Sequence, residues 1–355
     1  MENFKPVLLS ILLGIAGGAV FYALALPLPW VLGAMTANTV AAFAGVKIGL
    51  SLRLRETMIC TLGMMLGSSF TPDIVDRIDT WSWAVVSMLV FVSLLIAVIT
   101  FYYLRFSNFD RVTCFFSAAP GGLGPMAVIG ENFGGDARMI PLVHAVRIII
   151  VVFTIPAYLT FVEGLELPSR GAGMGGDGTL VSMTDLAILM ALAAVGFFVA
   201  KSLKIPAASV VGPMVVCAAA YLFGFVEGFL PAPLTIAAQV AIGSSIGARF
   251  VGLRVRQLIK PITLSAISGL MMLGAAAGFS ALLAPVLGVS RPALLLALAP
   301  GGLAEMSLIA FSLNIDTAFV ATLHVARIMC VVLLLPFVFR QLGWSEAKHI
   351  EPRPG

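Results

Sequence analysis

Charged side chains are scarce in this chain of 355 residues, and their scarcity excludes an ordinary soluble protein. Asp, Glu, Lys and Arg make up 11% of the residues, whereas hydrophobic residues make up 60% and the mean hydropathy is +1.07. A soluble domain usually carries about 25% charged residues. Apolar stretches of roughly 20 residues, long enough to cross a hydrocarbon core of about 30 Å, recur along the sequence. The composition therefore predicts an all-α polytopic membrane protein.

Histidine and cysteine are also scarce, which argues against a metal centre. The three histidines, His144, His324 and His349, form no cluster in the sequence, whereas a copper enzyme needs several imidazole ligands close together. The cysteines have no CxxC spacing and lie in or next to apolar segments: Cys60, Cys114, Cys217 and Cys330. They indicate neither a disulfide framework nor a metal site. We expect a protein that is not an enzyme and has no cofactor and no metal.

Nucleic-acid binding is disfavoured despite the net charge of +4. The basic residues lie in short loops between apolar segments, as in membrane proteins whose cytoplasmic loops are enriched in Lys and Arg. No zinc-finger spacing, polar helix-turn-helix pattern or long basic run is present. The expected partner is the lipid bilayer rather than nucleic acid.

An internal repeat dominates the rest of the sequence. Residues 119–156 return at 299–336 with a constant offset of 180, and 14 of these 38 aligned positions are identical. The matched residues include the APGGL motif and five further pairs: Met126/Met306, Asp136/Asp316, His144/His324, Arg147/Arg327 and Pro156/Pro336. We predict two membrane repeats at 1–162 and 183–340, a flexible linker at 163–182 and a cytoplasmic tail at 341–355.

The distribution of Lys and Arg predicts that the second repeat is inverted. If all six apolar segments of each repeat crossed the membrane, 11 Lys and Arg would lie inside and 8 outside. If the APGGL segment instead enters and leaves on one side, each repeat crosses five times and the counts become 16 inside and 3 outside. The second arrangement fits the positive-inside rule far better. It predicts ten crossing helices, two re-entrant hairpins and both termini in the cytoplasm.

Each APGGL segment is interrupted near its middle by Pro-Gly-Gly, at Pro120, Gly121 and Gly122 and again at Pro300, Gly301 and Gly302. Proline lacks an amide donor and glycine tolerates positive φ, which suits a tight break. A helix that begins after the break would direct free amides at the tip and favour an anion or carboxylate. The alternative is a proline-kinked helix that spans the membrane.

The paired charges near these breaks are the main candidates for a binding site. His144 and Arg147, like His324 and Arg327, are three residues apart and share a helix face. Buried arginines are costly in a membrane and need a partner, so they mark either function or a structural ion pair. Asp136 and Asp316 are better explained as helix N-caps.

Glu305 is the best candidate for a residue that couples a proton or a cation, since the first repeat has Pro125 at the equivalent position. Met126 and Met306 flank the two breaks, and Asn38 is a polar candidate within an apolar segment. We include all three among the candidate residues that bind the solute or the ion.

The chain resembles the membrane AbrB duplication family, bacterial integral proteins labelled ammonia monooxygenases or AbrB-type regulators. The resemblance covers nearly the whole chain and is carried by both APGGL motifs, with the Asp, His and Arg that follow, and by VLGAM at 31–35 and VVGPM at 210–214. The inferred architecture is also similar to that of inverted-repeat transporters, such as those for 2-hydroxycarboxylates, whose hairpin tips are glycine-rich.

The leading hypothesis is a secondary transporter that moves a small anionic organic solute by alternating access, coupled to an ion such as H+ or Na+. The alternative is a membrane-embedded regulator or sensor that does not transport and affects gene expression. The resemblance implies the bacterial inner membrane, and analogy with related transporters suggests a homodimer.

Overall fold

The computed structural model describes residues 4–165, 179–252 and 255–344, and the regular structure within them is helical apart from one isolated β-bridge between Leu180 and Phe229. Most of the predicted linker, residues 166–178, and most of the predicted tail, residues 345–355, lie outside the described part of the chain.

The two repeats contain the same succession of helices within the described residues. The first repeat contains α1 (Phe4–Ala23), α2 (Pro29–Phe43), α3 (Leu52–Gly67), α4 (Ile78–Phe106), α5 (Arg111–Ala118), α6 (Leu123–Asn132) and α7 (Met139–Phe161). The second repeat contains α8 (Met183–Ser202), α9 (Ala208–Leu222), α10 (Ala232–Gly247), α11 (Val255–Leu287), α12 (Arg291–Leu298), α13 (Leu303–Ser312) and α14 (Thr317–Gln341). Short 3-10 turns precede α4 and follow α10.

Six of the described helices are long and apolar enough to cross a membrane: α1, α4, α7, α8, α11 and α14. Three come from each repeat, at equivalent positions. Their lengths and composition define a multi-pass membrane protein, as the composition predicts.

The shorter helices form a large part of the contact between the repeats, to which the long helices α4, α7, α11 and α14 also contribute. Helix α2 packs on α10 and helix α3 on α9, which are equivalent pairs with the repeats exchanged. Gly63 of α3 lies against the backbone of α9, where a Cβ would be 2.6 Å from the Val210 carbonyl oxygen. Gly243 of α10 approaches the Val31 carbonyl of α2 in the same way. The two repeats thus meet through matching surfaces that only glycine allows to approach so closely.

Close glycine contacts also hold the helices within each repeat. The backbones of Gly17 in α1 and Gly33 in α2 touch, so a Cβ on either residue would collide with the other's carbonyl group. Gly196 and Gly212 repeat this contact between α8 and α9. Small residues allow helices to pack this closely, which is typical of membrane proteins.

The Pro-Gly-Gly motif ends one helix and starts another in each repeat, as the sequence predicts. Helices α5 and α6 have 8 and 10 residues, so they reach about 12 and 15 Å. The chain then turns back, so that the residues after α6 lie beside α5. The Asp136 amide donates to Thr113 Oγ1 over 2.7 Å, and the rings of Phe116 and Phe133 stack 5.6 Å apart. The segment is therefore a broken helix pair rather than one continuous kinked helix. We call α5 and α6 pair 1, and α12 and α13 pair 2.

Candidate functional site

In pair 1, His144 replaces the amide that proline cannot supply. The carbonyl of Phe116 would normally accept from the amide of residue 120, but that residue is Pro120, which has none. His144 Nε2 lies 3.0 Å from this carbonyl oxygen, so this nitrogen carries the proton and donates it. His144 Nδ1 then has a free lone pair and accepts from Arg147 Nη2 over 2.6 Å. The histidine is neutral and holds the arginine in place.

Pair 2 repeats this arrangement. Pro300 leaves the Leu296 carbonyl without its helical donor, and His324 Nε2 donates to that oxygen over 2.9 Å. His324 Nδ1 accepts from Arg327 Nη2 over 2.7 Å. The spacing of histidine and arginine is thus explained by the proline break on the neighbouring helix. All four side chains are buried.

The two arginines differ in how they hold the Pro-Gly-Gly tips, which we define as tip 1 (119–122) and tip 2 (299–302). Arg327 donates to the carbonyl oxygens of Ala299 and Gly301 over 2.7 and 2.8 Å. Arg147 makes no such contact with tip 1; it reaches Ser117 O at 3.4 Å and Met272 Sδ at 3.9 Å. Tip 2 is therefore fixed by its arginine, whereas tip 1 is not.

The backbone of the tips differs in the same sense. Gly122 has a φ of +89° and Gly302 has a φ of −78°, although both tips have the same residues. Only glycine adopts the first conformation without strain. A Cβ at Gly301 would lie 2.7 Å from Met306 Cε, and one at Gly121 would lie 2.7 Å from Met126 Cε. The two methionines therefore pack against the tips.

Both tips border one cavity of about 250 Å³, which we call the tip cavity. Its lining includes Gly121 and Gly122 of tip 1, the first turn of α6, Gly302 of tip 2 and the first turn of α13. The first amides of a helix have no partner within the helix and carry its positive dipole end. Two helix N-termini thus border the same small space.

Three charged side chains also line the tip cavity: Arg55 from the start of α3, Arg249 from the turn after α10, and Glu305 from α13. The Glu305 side chain is 9% exposed and folds back over Gly302, where a Cβ would collide with the carboxylate. Among the described residues, this carboxylate forms no hydrogen bond or ion pair. The cavity has two positive groups and one negative group.

Arg249 interacts electrostatically with both of the other charged side chains, Glu305 and Arg55. Burial lowers the pKa of the Arg249 guanidinium from its usual value; the negative charge of Glu305 opposes that shift and the positive charge of Arg55 adds to it. Arg249 Nη1 is buried without a hydrogen-bond partner among the described residues. A buried donor of this kind is costly unless a ligand satisfies it.

A larger cavity of about 690 Å³ adjoins the tip cavity and shares Leu123 and Arg249 with it. Arg138 and Met139 at the start of α7 border this vestibule, as does Leu258 near the start of α11. Arg249 thus borders both cavities, whereas Glu305 borders only the tip cavity.

Asn38 lies elsewhere, in a polar cluster between α1, α2 and α10. Its side-chain oxygen accepts from Ser10 Oγ over 2.7 Å, and its amide donates to Ser10 O, Ala34 O and Ser244 Oγ over 2.9 to 3.1 Å. Both its side-chain oxygen and its amide group therefore have partners, and the cluster joins the two repeats. This arrangement explains a polar residue in an apolar segment without a ligand.

The structure thus separates the sequence-predicted residues into three groups. Gly121, Gly122, Gly302 and Glu305 border the tip cavity. A second group does not line the cavity and consists of the two prolines within the tips and of buried residues behind them, of which Arg327 but not Arg147 bonds its tip: Pro120, Pro300, Met126, Met306, His144, Arg147, His324 and Arg327. Asn38 alone forms the third group. Gly301, the remaining predicted residue, does not line the tip cavity and packs on Met306 at tip 2.

Sequence reasoning missed Arg55 and Arg249, because the positive-inside rule already explains a basic residue near a helix end. Arg55 and Ile59 both line the cavity and are four residues apart on α3, so a helical reading from residue 52 would have placed them on one face. For Arg249 the sequence carries no comparable signal.

The described residues contain no group of three or more His, Cys, Asp or Glu side chains that could hold a metal ion. The predicted N-cap role is confirmed for Asp316, whereas the N-cap of α7 is Arg138 and Asp136 lies two residues before it. Asp316 accepts from Phe319 N over 3.0 Å at the start of α14, and Asp136 accepts from the amides of Arg138 and Met139 before α7.

The apolar helices and the duplicated broken helix pairs define a class of protein: a multi-pass α-helical membrane protein built from two related halves. The family described as transition state regulatory protein AbrB matches residues 30–343, and the chain belongs to this family. The resemblance read from the repeated motifs is therefore confirmed.

Two relatives match over nearly their whole length. The chain is 26% identical to the uncharacterized protein YhjN of Bacillus subtilis (strain 168), over 96% of this chain and 94% of YhjN. It is 24% identical to a protein of Escherichia coli (strain K12) that is named as a candidate regulator, AbrB, over 96% of each. Neither name describes a transported solute.

Proposed function

We propose that this protein is a secondary transporter that moves a small anionic organic solute by alternating access with ion coupling. The observation that carries the proposal is the tip cavity, where two helix N-termini, Arg55, Arg249 and the buried Glu305 meet. Discontinuous helices whose N-termini face an anionic substrate are a recurring feature of transporters with internal repeats.

The size and charge of the tip cavity select the class of solute. Its volume of about 250 Å³ corresponds to roughly eight water molecules at about 30 Å³ each. This volume is slightly below the range of about 300 to 1,000 Å³ that is typical of pockets for drug-sized ligands. The arginines favour a carboxylate, because guanidinium and carboxylate groups form strong paired hydrogen bonds. A short-chain carboxylate therefore fits best.

Glu305 is the proposed coupling residue. A carboxylate beside the binding site repels an anionic solute as long as it is charged. Protonation of Glu305, or a sodium ion bound to it, would remove that repulsion and allow the anion to bind between Arg55 and Arg249. Solute and cation would then bind together, as a symporter requires.

We further propose that the repeats are inverted and that pairs 1 and 2 are re-entrant hairpins entering from opposite sides. Contacts among the described residues support this. The end of α14 lies next to pair 1, since Arg340 stacks on Phe133 and Trp344 packs on Phe115. Pair 1 in turn leads into the start of α7, so the equivalent helices α7 and α14 run in opposite directions.

The other side has its own set of contacts. Arg291, at the start of pair 2, bonds Tyr158 near the end of α7 and pairs with Glu163 at 3.1 Å. Arg77 pairs with Asp316 at 3.2 Å. Arg77 and Arg291 are two of the three basic residues that the inverted arrangement assigns to the outside. Their position is consistent with this, because they contact the other ends of α7 and α14, away from Arg340 and pair 1.

Cysteine accessibility tests the orientation. We would introduce Arg138→Cys or Glu227→Cys into a background without the four native cysteines and label intact cells with an impermeant maleimide. Inverted repeats place residue 138 inside and residue 227 outside. A parallel duplication with six crossings per repeat reverses both results and would remove the basis for two hairpins that meet.

Transport itself is tested in proteoliposomes with labelled short-chain mono- and dicarboxylates and an inward H+ or Na+ gradient. We expect concentrative uptake that needs one of the two gradients. Glu305→Gln should abolish concentrative uptake but retain exchange across the membrane, because glutamine imitates the neutral acid. Arg249→Gln should reduce both activities strongly.

Arg53→Gln provides the matched control, since Arg53 is on the same helix as Arg55 but is exposed and borders a different cavity. Its uptake should equal that of the unmodified protein. Uptake that persists when Arg55, Arg249 and Glu305 are all replaced by glutamine would show that the tip cavity is not the binding site.

A regulator or sensor is the second candidate, and the name of the Escherichia coli relative favours it. A sensor would bind a carboxylate in the tip cavity without moving it. Thermal stabilisation by a carboxylate that Arg249→Gln abolishes, together with no uptake under any gradient, would support this function over transport.

A further inference from the structure

An apolar groove lies on the outer surface of the helix bundle, between α4 and α14, with Phe115 of α5 also lining it. Its volume is about 450 Å³. Its walls consist of aliphatic and aromatic side chains, of which Phe101 and Leu334 are more than half exposed. The lining runs from Leu89 to Leu104 on α4, which is about 22 Å along the helix axis. That length exceeds the roughly 15 Å depth of one hydrocarbon leaflet.

Positive charge is concentrated at one end of this groove. Trp344 lines that end, and the Arg111 guanidinium stacks on its ring at 5.9 Å. Arg105 follows the lining residue Leu104 in the last turn of α4. Both arginines are exposed and neither pairs with a carboxylate among the described residues. An anionic group at the mouth of the groove would complement them.

A buried polar atom lies farther along the groove. Thr100 lines the groove and is 5% exposed, yet its hydroxyl has no hydrogen-bond partner among the described residues. It lies five residues from Arg105, or about 7.5 Å along the helix. The hydroxyl oxygen is itself covered, so a ligand with an anionic head and a long alkyl chain would contact the arginines and the apolar walls rather than this oxygen.

We propose that this groove is a binding site for an anionic glycerophospholipid. The phosphate binds at Arg105 and Arg111, and one acyl chain lies along α4 and α14. Basic residues at the membrane surface attract anionic lipids, and the groove gives that attraction a fixed position. The inference is independent of the transport proposal.

The lipid would also contact the residue that supports tip 1. Val331 of α14 lines the groove, and its Cγ1 would be 2.6 Å from a Cβ on Gly121. Arg147 forms no hydrogen bond to tip 1, so tip 1 is supported by the packing of Val331 and Met126 against Gly121. An acyl chain in the groove therefore presses on the side chain behind the less restrained of the two tips.

Quenching of tryptophan fluorescence by brominated lipids tests the site, because Trp344 lines the groove. A variant with Trp30, Trp81 and Trp83 replaced by Phe leaves Trp344 as the only tryptophan. It is reconstituted in dioleoyl phosphatidylcholine with increasing fractions of dibrominated phosphatidylglycerol or dibrominated phosphatidylcholine. We expect an apparent preference for the anionic lipid of about fivefold or more, since each arginine near an anionic surface contributes roughly that factor.

A variant that retains only Trp83 is the matched control. Trp83 lies on α4, which also carries Arg105 and one wall of the groove, but it does not line the groove and is 67% exposed. Both brominated lipids should quench it equally. Arg105→Gln with Arg111→Gln should remove the preference at Trp344, whereas Arg105→Lys with Arg111→Lys should keep most of it. The ratio between the two lipids is compared within each variant, so that loss of the Arg111 stacking does not affect the result.

Equal quenching of Trp344 by the two lipids would overturn the proposal. Absence of quenching by either lipid would also overturn it, since no phospholipid would then lie in the groove beside Trp344. A preference that survives both glutamine substitutions would likewise exclude the two arginines as the headgroup site.

Discussion

The difference between the two arginines leads to a quantitative prediction, because the chain provides its own control. Arg147 and Arg327 are both almost fully buried, with 3% and 1% exposure, so replacing either with methionine removes a similar desolvation cost. Each also loses one bond to its histidine. Arg327 additionally loses two short bonds to the backbone of tip 2, for which Arg147 has only a long contact at 3.4 Å and a sulfur contact.

Hydrogen bonds to charged groups contribute about 1.5 to 3 kcal/mol each. Using the lower value for two bonds, Arg327→Met should destabilise the protein by about 3 kcal/mol more than Arg147→Met. A change of 1 kcal/mol shifts the melting temperature of a large domain by about 2 °C or more, so the difference should be about 6 °C. Thermal unfolding of both variants in the same nanodisc, followed by circular dichroism, measures it.

Arg327→Lys should fall between the unmodified protein and Arg327→Met, because lysine keeps the charge but cannot donate to two carbonyls in the fixed geometry of a guanidinium. Equal melting temperatures for Arg147→Met and Arg327→Met would refute the reasoning. That result would mean that the carbonyls of tip 2 gain as much from water, or from other donors, as from the arginine.

The remaining predictions concern packing. Asn38→Leu should cost about 2 to 3 kcal/mol, since the buried Ser10 hydroxyl loses its acceptor and Ser244 keeps only its 3.3 Å bond to the Ser10 carbonyl oxygen. Thr39→Val next to it should be neutral or stabilising, because the Thr39 hydroxyl is buried and unbonded among the described residues; chemical denaturation of both variants compares them. Gly301→Ala should destabilise tip 2 by about 1 to 3 kcal/mol through contact with Met306, and Met306→Ala in the same chain should recover part of that loss, which a double-mutant cycle measures. Gly33→Ala should reduce the yield of folded protein in a size-exclusion assay, because its Cβ has no space at the α1 and α2 contact; a normal yield would contradict the close packing.

The sequence predicts the features that depend on composition and spacing. The all-helical membrane class, the duplication and the break at each Pro-Gly-Gly follow from local residue patterns, whereas six of the ten predicted crossing helices are long and apolar enough to span a membrane among the described residues. The His-Arg spacing correctly indicates one helix face. What spacing could not reveal is the target of the histidine, a carbonyl left free by a proline 24 residues earlier in the chain.

The charged lining of the tip cavity was less accessible to sequence reasoning. Arg55 and Arg249 belong to different repeats and have no equivalents in the other one, since Thr235 and Ser69 occupy the matching positions. They meet only because the start of α3 and the end of α10 both lie beside the tips. The proximity of Arg55 and Arg249 depends on how the helices of the two repeats pack. Neither the periodicity of the sequence nor the number of basic residues predicts it.

The two tips have a further consequence. Five identical residues, APGGL, adopt one backbone conformation in the first repeat and another in the second, with φ of +89° at Gly122 and −78° at Gly302. Because glycine populates both regions at similar energy, the motif itself does not choose between them; the neighbouring side chains do. The protein therefore holds one motif in two backbone conformations that differ at the second glycine, and the surroundings of each tip, rather than its residues, set which conformation is present.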